Sequence, residues 1–268
     1  MLTASRLAGG AYLRMLYADG TSFVVDRAGA NVWAASPAGT LEDTATYLLG
    51  PVLAYVLRLR GHLSLHASAV RVGDCALALV GPQGAGKSTT AAAFAQLGNA
   101  ILTDDTAVVV EQAGGFMVRP GNPLVRLWDD SVTCLFGTPE ALPRLTPTWD
   151  KRYLDLRGNS YRFETLTLPL AVIYLLGARA GRGMGTNIVP VSGSAALMAL
   201  VANTTSNHLL DGDMRARELE RVGLLANQVT LRHVTPADDP ANVRQLCEAI
   251  LEDFALVNAP NGRVAADV

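Results

Sequence analysis

Residues 81–88 read Gly81-Pro82-Gln83-Gly84-Ala85-Gly86-Lys87-Ser88. Every fixed position of the G-x-x-x-x-G-K-[ST] phosphate-binding loop is filled. The apolar run Cys75-Ala76-Leu77-Ala78-Leu79-Val80 precedes it and suits a short buried strand. Thr89 to Leu97 follow as a good helix former, stopped by Gly98. Strand, Gly-rich loop and helix in that order are the context the motif requires; the alternative is a chance Gly-rich turn between a strand and a helix. The fold class that follows is α/β, with a mixed central sheet, flanking helices and the loop at a strand's C-terminal end.

In such a loop the backbone N–H groups converge at the positive end of a helix and form an anion nest. Gly81, Gly84 and Gly86 permit backbone angles and close approach that side chains would block. Ala85 completes the loop and Thr89 lies in the first helical turn. Lys87 is placed to reach the β- and γ-phosphates, and the Ser88 hydroxyl to ligate Mg²⁺. The loop therefore predicts a nucleoside triphosphate, with ATP as donor, and Mg²⁺. No strand-end Asn-Lys-x-Asp element points to guanine.

Half of the 268 residues are hydrophobic, enough for a sizeable core, and the net charge is −2. That balance gives no electrostatic case for nucleic acid or an anionic membrane. Cys75, Cys134 and Cys247 are widely spaced and odd in number, which fits buried thiols in a reducing compartment. No stretch is apolar for long enough to span a membrane, and Met1 to Gly10 lack the charged start and apolar core of a signal peptide. A cytoplasmic enzyme is the expectation.

Along the chain, Ala11–Tyr17 and Thr21–Asp26 read as a hairpin around Asp19-Gly20. Residues 41–60 read as helix, kinked or split by Pro51. Leu63–Val72 reads as one strand carrying His66. A further strand starts at Ala100-Ile101-Leu102, continues through Val108-Val109-Val110, and turns at Gly114-Gly115 into Phe116-Met117-Val118. The stretch from Pro120 to Pro169 is dense in Pro, Gly, Trp and charge and reads as loops and short helices around a site. Ala171–Leu176 and Val229–Val234 read as strands, and Ser192–Ala202 and Arg215–Ala226 as helices. Asp239-Pro240 caps a last helix with Val243, Leu246, Cys247, Ile250 and Phe254 on one face. The expected organisation is a small β/α segment over 1–60, a phosphate-loop domain over 61–256 and a disordered tail over 257–268.

Two further features narrow the chemistry. Leu102-Thr103-Asp104-Asp105 stands at a strand end after the loop helix. One carboxylate there can hold Mg²⁺ directly or through water; the other can take a proton from a hydroxyl nucleophile. Adjacent residues alternate across a strand, so both face the phosphates only at a local twist or strand end. The alternative is an exposed Asp-Asp loop. The second feature is Leu65-His66-Ala67-Ser68-Ala69, 21 positions ahead of Lys87, with Asp105 18 positions after it. A lone histidine in an apolar strand is ordinarily a satisfied core group.

The run Leu65-His66-Ala67-Ser68, the loop Gly81–Ser88 and Leu102-Thr103-Asp104-Asp105 together resemble the catalytic core of the HPr kinase/phosphorylase family. The close resemblance covers residues 60–110. A looser one extends through Asn122-Pro123-Leu124-Val125-Arg126-Leu127-Trp128 and Lys151-Arg152 to Ile173-Tyr174-Leu175. This wider pattern resembles the short HPr-kinase-like proteins found with ribosomally made peptides, some of which phosphorylate the terminal serine of a lasso-peptide precursor. The resemblance implies the phosphoenolpyruvate-carboxykinase-like variant of the phosphate-loop fold. It gives Lys87 and Ser88 the phosphate and Mg²⁺ roles, makes Asp105 the base that deprotonates the acceptor serine, and sets Asp104 near the metal and His66 close to the transferred phosphate. The family's hexamers imply a homo-oligomer.

The chain also departs from the family. Bifunctional HPr kinases carry a separate N-terminal domain, whereas the residues before His66 read as strands and a helix. The Arg-Gly-Leu-Gly stretch that supplies a metal-binding glutamate is not found. Asp129 and Asp130 lie in that region and are either a substitute, with Asp130 as metal ligand, or a solvated pair capping a helix. Arg126, Lys151 and Arg152 are the basic residues expected near phosphates or an acidic substrate, the alternative being surface charge. The leading reading is an ATP-dependent serine kinase acting on a peptide or small protein. A nucleotide switch without an acceptor and a kinase of a free metabolite such as serine are the other two.

Overall fold

The structure is a computed structural model that describes residues 2–112, 114–158 and 160–259. It opens with a four-stranded antiparallel meander: β1 (Thr3–Leu7), β2 (Tyr12–Leu16), β3 (Ser22–Asp26) and β4 (Val32–Ala35). The expected hairpin is β2–β3, with Leu16 opposite Ser22. Alternation puts Leu13, Met15, Phe23 and Val25 on one buried face. That face is covered by Val52, Tyr55 and Val56 of the following helical segment.

The helical segment is split where Pro51 denies the backbone a donor. Helix α1 (Leu41–Tyr47) passes through a wide π turn, Leu48–Val52, into α2 (Leu53–Leu59). Gly50 inside that turn has non-helical angles, φ −106° and ψ −107°.

The core sheet is mixed. Its strands are β5 (Leu63–Leu65), β6 (Ala67–Val72), β7 (Cys75–Val80), β8 (Ile101–Thr103), β9 (Ala107–Gln112), β10 (Gly115–Val118), β13 (Leu168–Leu176), β14 (Asn187–Val191) and β15 (Thr230–Thr235). Between β10 and β13 lies a separate ribbon of β11 (Leu124–Trp128) and β12 (Lys151–Asp155). The main order is β5-β9-β10-β13-β7-β6-β8, with β15 beside β13 and β14 beside β15. Strands β7, β13 and β15 run parallel; the other pairings are antiparallel.

The chain runs from β5 into β6 and from β8 into β9, so the sheet curls back on itself. Leu65 pairs with Ala107 and Ala69 with Thr103, in a common register. Between these rungs the ladder is open. The single strand expected over 63–72 is therefore two, with His66 at the break, and the strand expected from Ala100 through Val110 is also two, interrupted at Asp104-Asp105-Thr106. Asp105 sits at φ 72°, a left-handed angle that aspartate tolerates better than most residues and that extended pairing cannot accommodate.

Helices cover both faces. On one side α3 (Lys87–Gln96) and α7 (Val243–Val257) meet Leu77, Leu79, Val172 and Tyr174; on the other α5 (Gly193–Ala202) and α6 (Gly212–Gln228) meet Ala76, Ala78, Ile173 and Leu175. All five residues expected on one face of α7 are buried. The stretch from Pro120 to Pro169 differs from expectation. It contains the ribbon β11–β12 and helix α4 (Asp129–Phe136), because Val125, Leu127 and Leu154 alternate into the core beside α3. Of the cysteines only Cys247 is buried; Cys75 is half-buried and Cys134 exposed, so the expectation of buried thiols is corrected for two of the three. Nine of the twelve residues of the expected tail, 260–268, lie outside the described residues; of the other three, Val257 closes α7.

The turn at the ladder opening is braced from outside. Thr103 Oγ1 donates to Thr106 O at 2.8 Å, and Gly121 N–H donates to Leu102 O at 2.8 Å. A Cβ at Gly121 would collide with Thr103 Oγ1. Gly121→Ala is therefore expected to lower stability by about 1–3 kcal/mol through overpacking, read as a lower urea midpoint with unchanged slope.

Candidate active site

The phosphate loop connects β7 to α3. Gly84 and Gly86 adopt φ 82° and 92°, and Gly81 lies so close to Leu176 O that a Cβ would come within 2.7 Å. Ala85 packs on the core behind the loop. Lys87 is buried at the start of α3. Its Nζ donates to Gly81 O at 2.7 Å and Pro82 O at 2.9 Å, so it curls back along the loop. Burial lowers the Lys87 pKa, and the charges of Asp104 and Asp105 oppose that shift.

The loop forms one side of a cleft of about 500 Å³. Gly84, Gly86, Lys87, Ser88 and Thr89 line it from α3 and the loop, and His66, Asp105, Arg126 and Lys151 from the sheet and ribbon. The two carboxylates of the Asp-Asp pair have different surroundings. Asp104 is buried; its Oδ1 accepts from Ser68 Oγ at 2.6 Å and Ser88 Oγ at 2.9 Å, and its Oδ2 from Arg126 N–H at 2.9 Å. Burial raises its pKa, Asp105 adds to the rise, and the three hydrogen bonds oppose it. Asp105 opens to the cleft. Its carboxylate lies 3.3 Å from His66 Nδ1 and 3.6 Å from Arg126 Nη1, and its carbonyl is 3.0 Å from His66 Nδ1. The strand end and left-handed turn let the neighbours face different environments on the same side of the sheet.

Arg126 meets both members of the pair, Asp104 through its backbone and Asp105 through its side chain. Its guanidinium passes 3.3 Å from where a Cβ on Gly50 would stand. The wide turn in the N-terminal helix thus leaves the lane along which Arg126 reaches Asp105.

Four aromatic residues, Tyr17, Tyr47, Trp128 and Trp149, also line the cleft. Tyr17 and Tyr47 stack with ring centroids 3.8 Å apart, and Trp149 meets Tyr47 edge-on at 5.3 Å. Burial, then the charge of Asp19, pushes the Tyr47 phenol up to about 12. Thr148 Oγ1 donates to the buried Asp43 carboxylate at 2.6 Å, which ties the segment bearing Trp149 to α1. Lys151 Nζ sits 4.7 Å over the Trp128 ring.

Two expected residues stand elsewhere. Arg152 does not line the cleft; its Nε donates to Asp129 Oδ1 at 2.8 Å and its Nη1 to Leu142 O at 3.2 Å, which pins the ribbon to α4. Asp130 is exposed in the first turn of α4, away from the cleft lining. Among the described residues no cluster of three or more His, Cys, Asp or Glu side chains forms a metal cage. The pair that fits a divalent cation is Ser88 Oγ beside Asp104 Oδ1. One hydroxyl and one carboxylate suit Mg²⁺, which keeps most of its water and is held by few protein ligands.

Several site residues were not singled out as such in the sequence. Ser68 lies in the quoted strand run two positions after His66, and period-two alternation sends both to one face. Trp128 closes the run quoted for the looser resemblance, whereas Tyr17, Tyr47, Ser131 and Trp149 carry no local motif. Their places are set by packing, as when Ser131 Oγ comes within 2.8 Å of Thr89 Oγ1.

Compared by sequence, no protein-family model matches the chain and no curated protein matches it. Among solved structures it is similar to the HPr(Ser) kinase/phosphatase from Coxiella burnetii. Identity is 11%, 72% of this chain and 90% of that chain are covered, and the TM-score is 0.40. A likeness of that size carries no chemistry across, and the function rests on the cleft's own residues. No helix among the described residues is long and apolar enough to cross a membrane.

Ser68→Ala leaves a buried carboxylate oxygen with one donor fewer. The expected cost is about 1–3 kcal/mol in denaturant unfolding, larger at pH 7 than at pH 4, because protonation removes part of the demand for donors.

Proposed function

We propose that the cleft transfers the γ-phosphoryl group of ATP to a serine hydroxyl of a peptide or small protein. The observation that supports this most is the meeting of a phosphate loop and an open, cation-flanked carboxylate, Asp105, in one cavity. In this reading Lys87 leaves its carbonyl partners and turns to the β- and γ-phosphates, while the loop N–H groups hold their oxygens. Tyr47 and Trp149 offer flat faces to the base. Ser88 and Asp104 hold Mg²⁺, which neutralises phosphate charge when bound.

Asp105 takes the proton of the attacking hydroxyl. Asp104 is unsuited to that role because it is buried, with Ser68 and the Arg126 backbone holding it beside Ser88, where Mg²⁺ would sit. His66 and Arg126 hold the Asp105 carboxylate in place, and Arg126 lends positive charge toward the transferred group. Asp105 also borders a second, apolar hollow of about 570 Å³, between Leu49, Leu53 and Leu57 on one side and Pro120 and Pro123 on the other. An acceptor chain lying there would present its hydroxyl to Asp105 from the side away from the loop. A terminal serine of a ribosomally made precursor, as in lasso-peptide pathways, is one acceptor of this kind. A positioned base of this kind typically contributes about 10²–10⁴-fold.

Incubation with Mg-ATP and a panel of serine peptides, followed by mass spectrometry, is expected to show phosphoserine. Free serine is expected to react more slowly than a peptide. ATP turnover with no phosphorylated acceptor across the panel would sink the reading in favour of a nucleotide switch. Lys87→Ala is expected to abolish transfer. Asp105→Asn is expected to keep nucleotide affinity within about two-fold while lowering kcat about 10²–10⁴-fold; unchanged kcat would remove Asp105 as base.

A further inference from the structure

A third cavity, of about 310 Å³, lies where the end of α2 meets α6. Arg58, Arg60, His62, Arg217, Glu218 and Arg221 are in its lining. Four arginines therefore face one carboxylate, in a chain whose net charge is −2. The carboxylate is already used: buried Glu218 pairs with buried Arg58 and accepts from Thr204 Oγ1 at 2.9 Å. Arg60 Nε is held by Gly29 O at 2.8 Å, and Arg221 by Gly61 O. Carbonyls fix these guanidinia in place without neutralising them. Among the described residues, Arg60, Arg217 and Arg221 have no carboxylate partner. Arg58 is more than nine-tenths buried and its charge is matched by Glu218, so the guanidinia free for a ligand are those of Arg60, Arg217 and Arg221.

From this arrangement we infer that the cavity binds a small phosphorylated molecule. Fixed guanidinia with spare donors match phosphate oxygens in charge and geometry. The volume is at the lower end of the range for small-molecule sites. The positive charge is gathered in a hollow and not spread along a stripe, which disfavours nucleic acid. The local field acts on its own members: burial, then Arg119, Arg221 and Arg60, lowers the His62 pKa. Burial, and after it Arg221, pulls Arg58 down from its ordinary value. An anion between these groups relieves repulsion that the folded protein otherwise carries. The site is separate from the phosphate-loop cleft, shares no lining residue with it, and does not depend on the proposed reaction.

The test uses the full-length chain with Lys87→Ala, which weakens phosphate binding at the loop. Calorimetric titration with pyrophosphate and with inorganic phosphate is expected to show saturable binding, tighter for pyrophosphate. Arg217→Glu and Arg60→Ser, introduced separately at exposed positions, are each expected to weaken it about ten-fold or more, the size of one lost charge-assisted hydrogen bond. Ligand-free thermal unfolding is measured alongside; the Arg217 side chain makes no hydrogen bond or ion pair among the described residues, so Arg217→Glu is expected to keep the parent's midpoint. No binding by the Lys87→Ala chain, or binding indifferent to both arginine changes, would overturn the inference. Tighter binding of a glutamate decapeptide than of pyrophosphate, lost with the same arginines, would overturn it in favour of an acidic protein segment.

Discussion

The buried carboxylate of Asp104 is the constraint on which the site depends. Three hydrogen bonds reach it from three elements: Ser68 of β6, Ser88 of α3 and the backbone of Arg126 on β11. An uncompensated carboxylate in that position would cost several kcal/mol, so these elements are held to one geometry. The same group therefore fixes the phosphate loop relative to the sheet and the ribbon relative to both. Its ligand set also explains the open ladder. Ser68 and Asp104 would face each other as backbone partners in a continued pairing, and they meet instead through side chains.

That opening is what lets one sheet present two kinds of carboxylate. A continuous strand would send Asp104 and Asp105 to opposite faces. Ending the pairing at Thr103 and placing Asp105 at a left-handed angle, a local cost of about 1–3 kcal/mol, turns Asp105 into the cleft while its neighbour stays buried. His66 stands across the same gap. The histidine and the acid pair are thus placed by one interruption in the pairing, and the hydrogen bond from Ser88 to Asp104 ties that opening to the phosphate loop. The three are separated in sequence and adjacent in space.

Much of this was legible in the sequence because it is local. The loop, its strand and its helix follow from eight residues and their flanks, and the split at Pro51 and the apolar face of α7 follow from spacing. The position of Lys87 at the helix start follows from that local pattern, whereas the grouping of His66 and Asp105 with it was an expectation from the resemblance of three separated runs, and one cleft does bring the three side chains together. What was not legible depends on long-range packing. Arg152 looked like a phosphate ligand beside Lys151, yet alternation along β12 turns it inward to Asp129 while Lys151 faces the cleft. Asp130 sits one position beyond the acid that the ribbon uses. The ribbon β11–β12 was hidden because the Pro- and Gly-rich composition around it masks short alternating runs. Tyr17 and Tyr47 come from a part of the chain with no motif, and only the packing of the meander against α1 and α2 brings them to the cleft.

The lane that Gly50 leaves for Arg126 has a consequence for what counts as the smallest working unit. A fragment trimmed to the phosphate-loop core would retain the anion nest, its lysine and the acid pair. It would lose the surface against which the arginine is steered, the tyrosine stack and the anchor for the Trp149 segment. The N-terminal layer is therefore no optional appendage on a self-sufficient engine. The loop and the acid pair come from the chain after residue 60, while the layer before it supplies the tyrosine stack and the passage for Arg126, so exchanging that layer would rebuild one wall of the cleft and leave the anion nest in place.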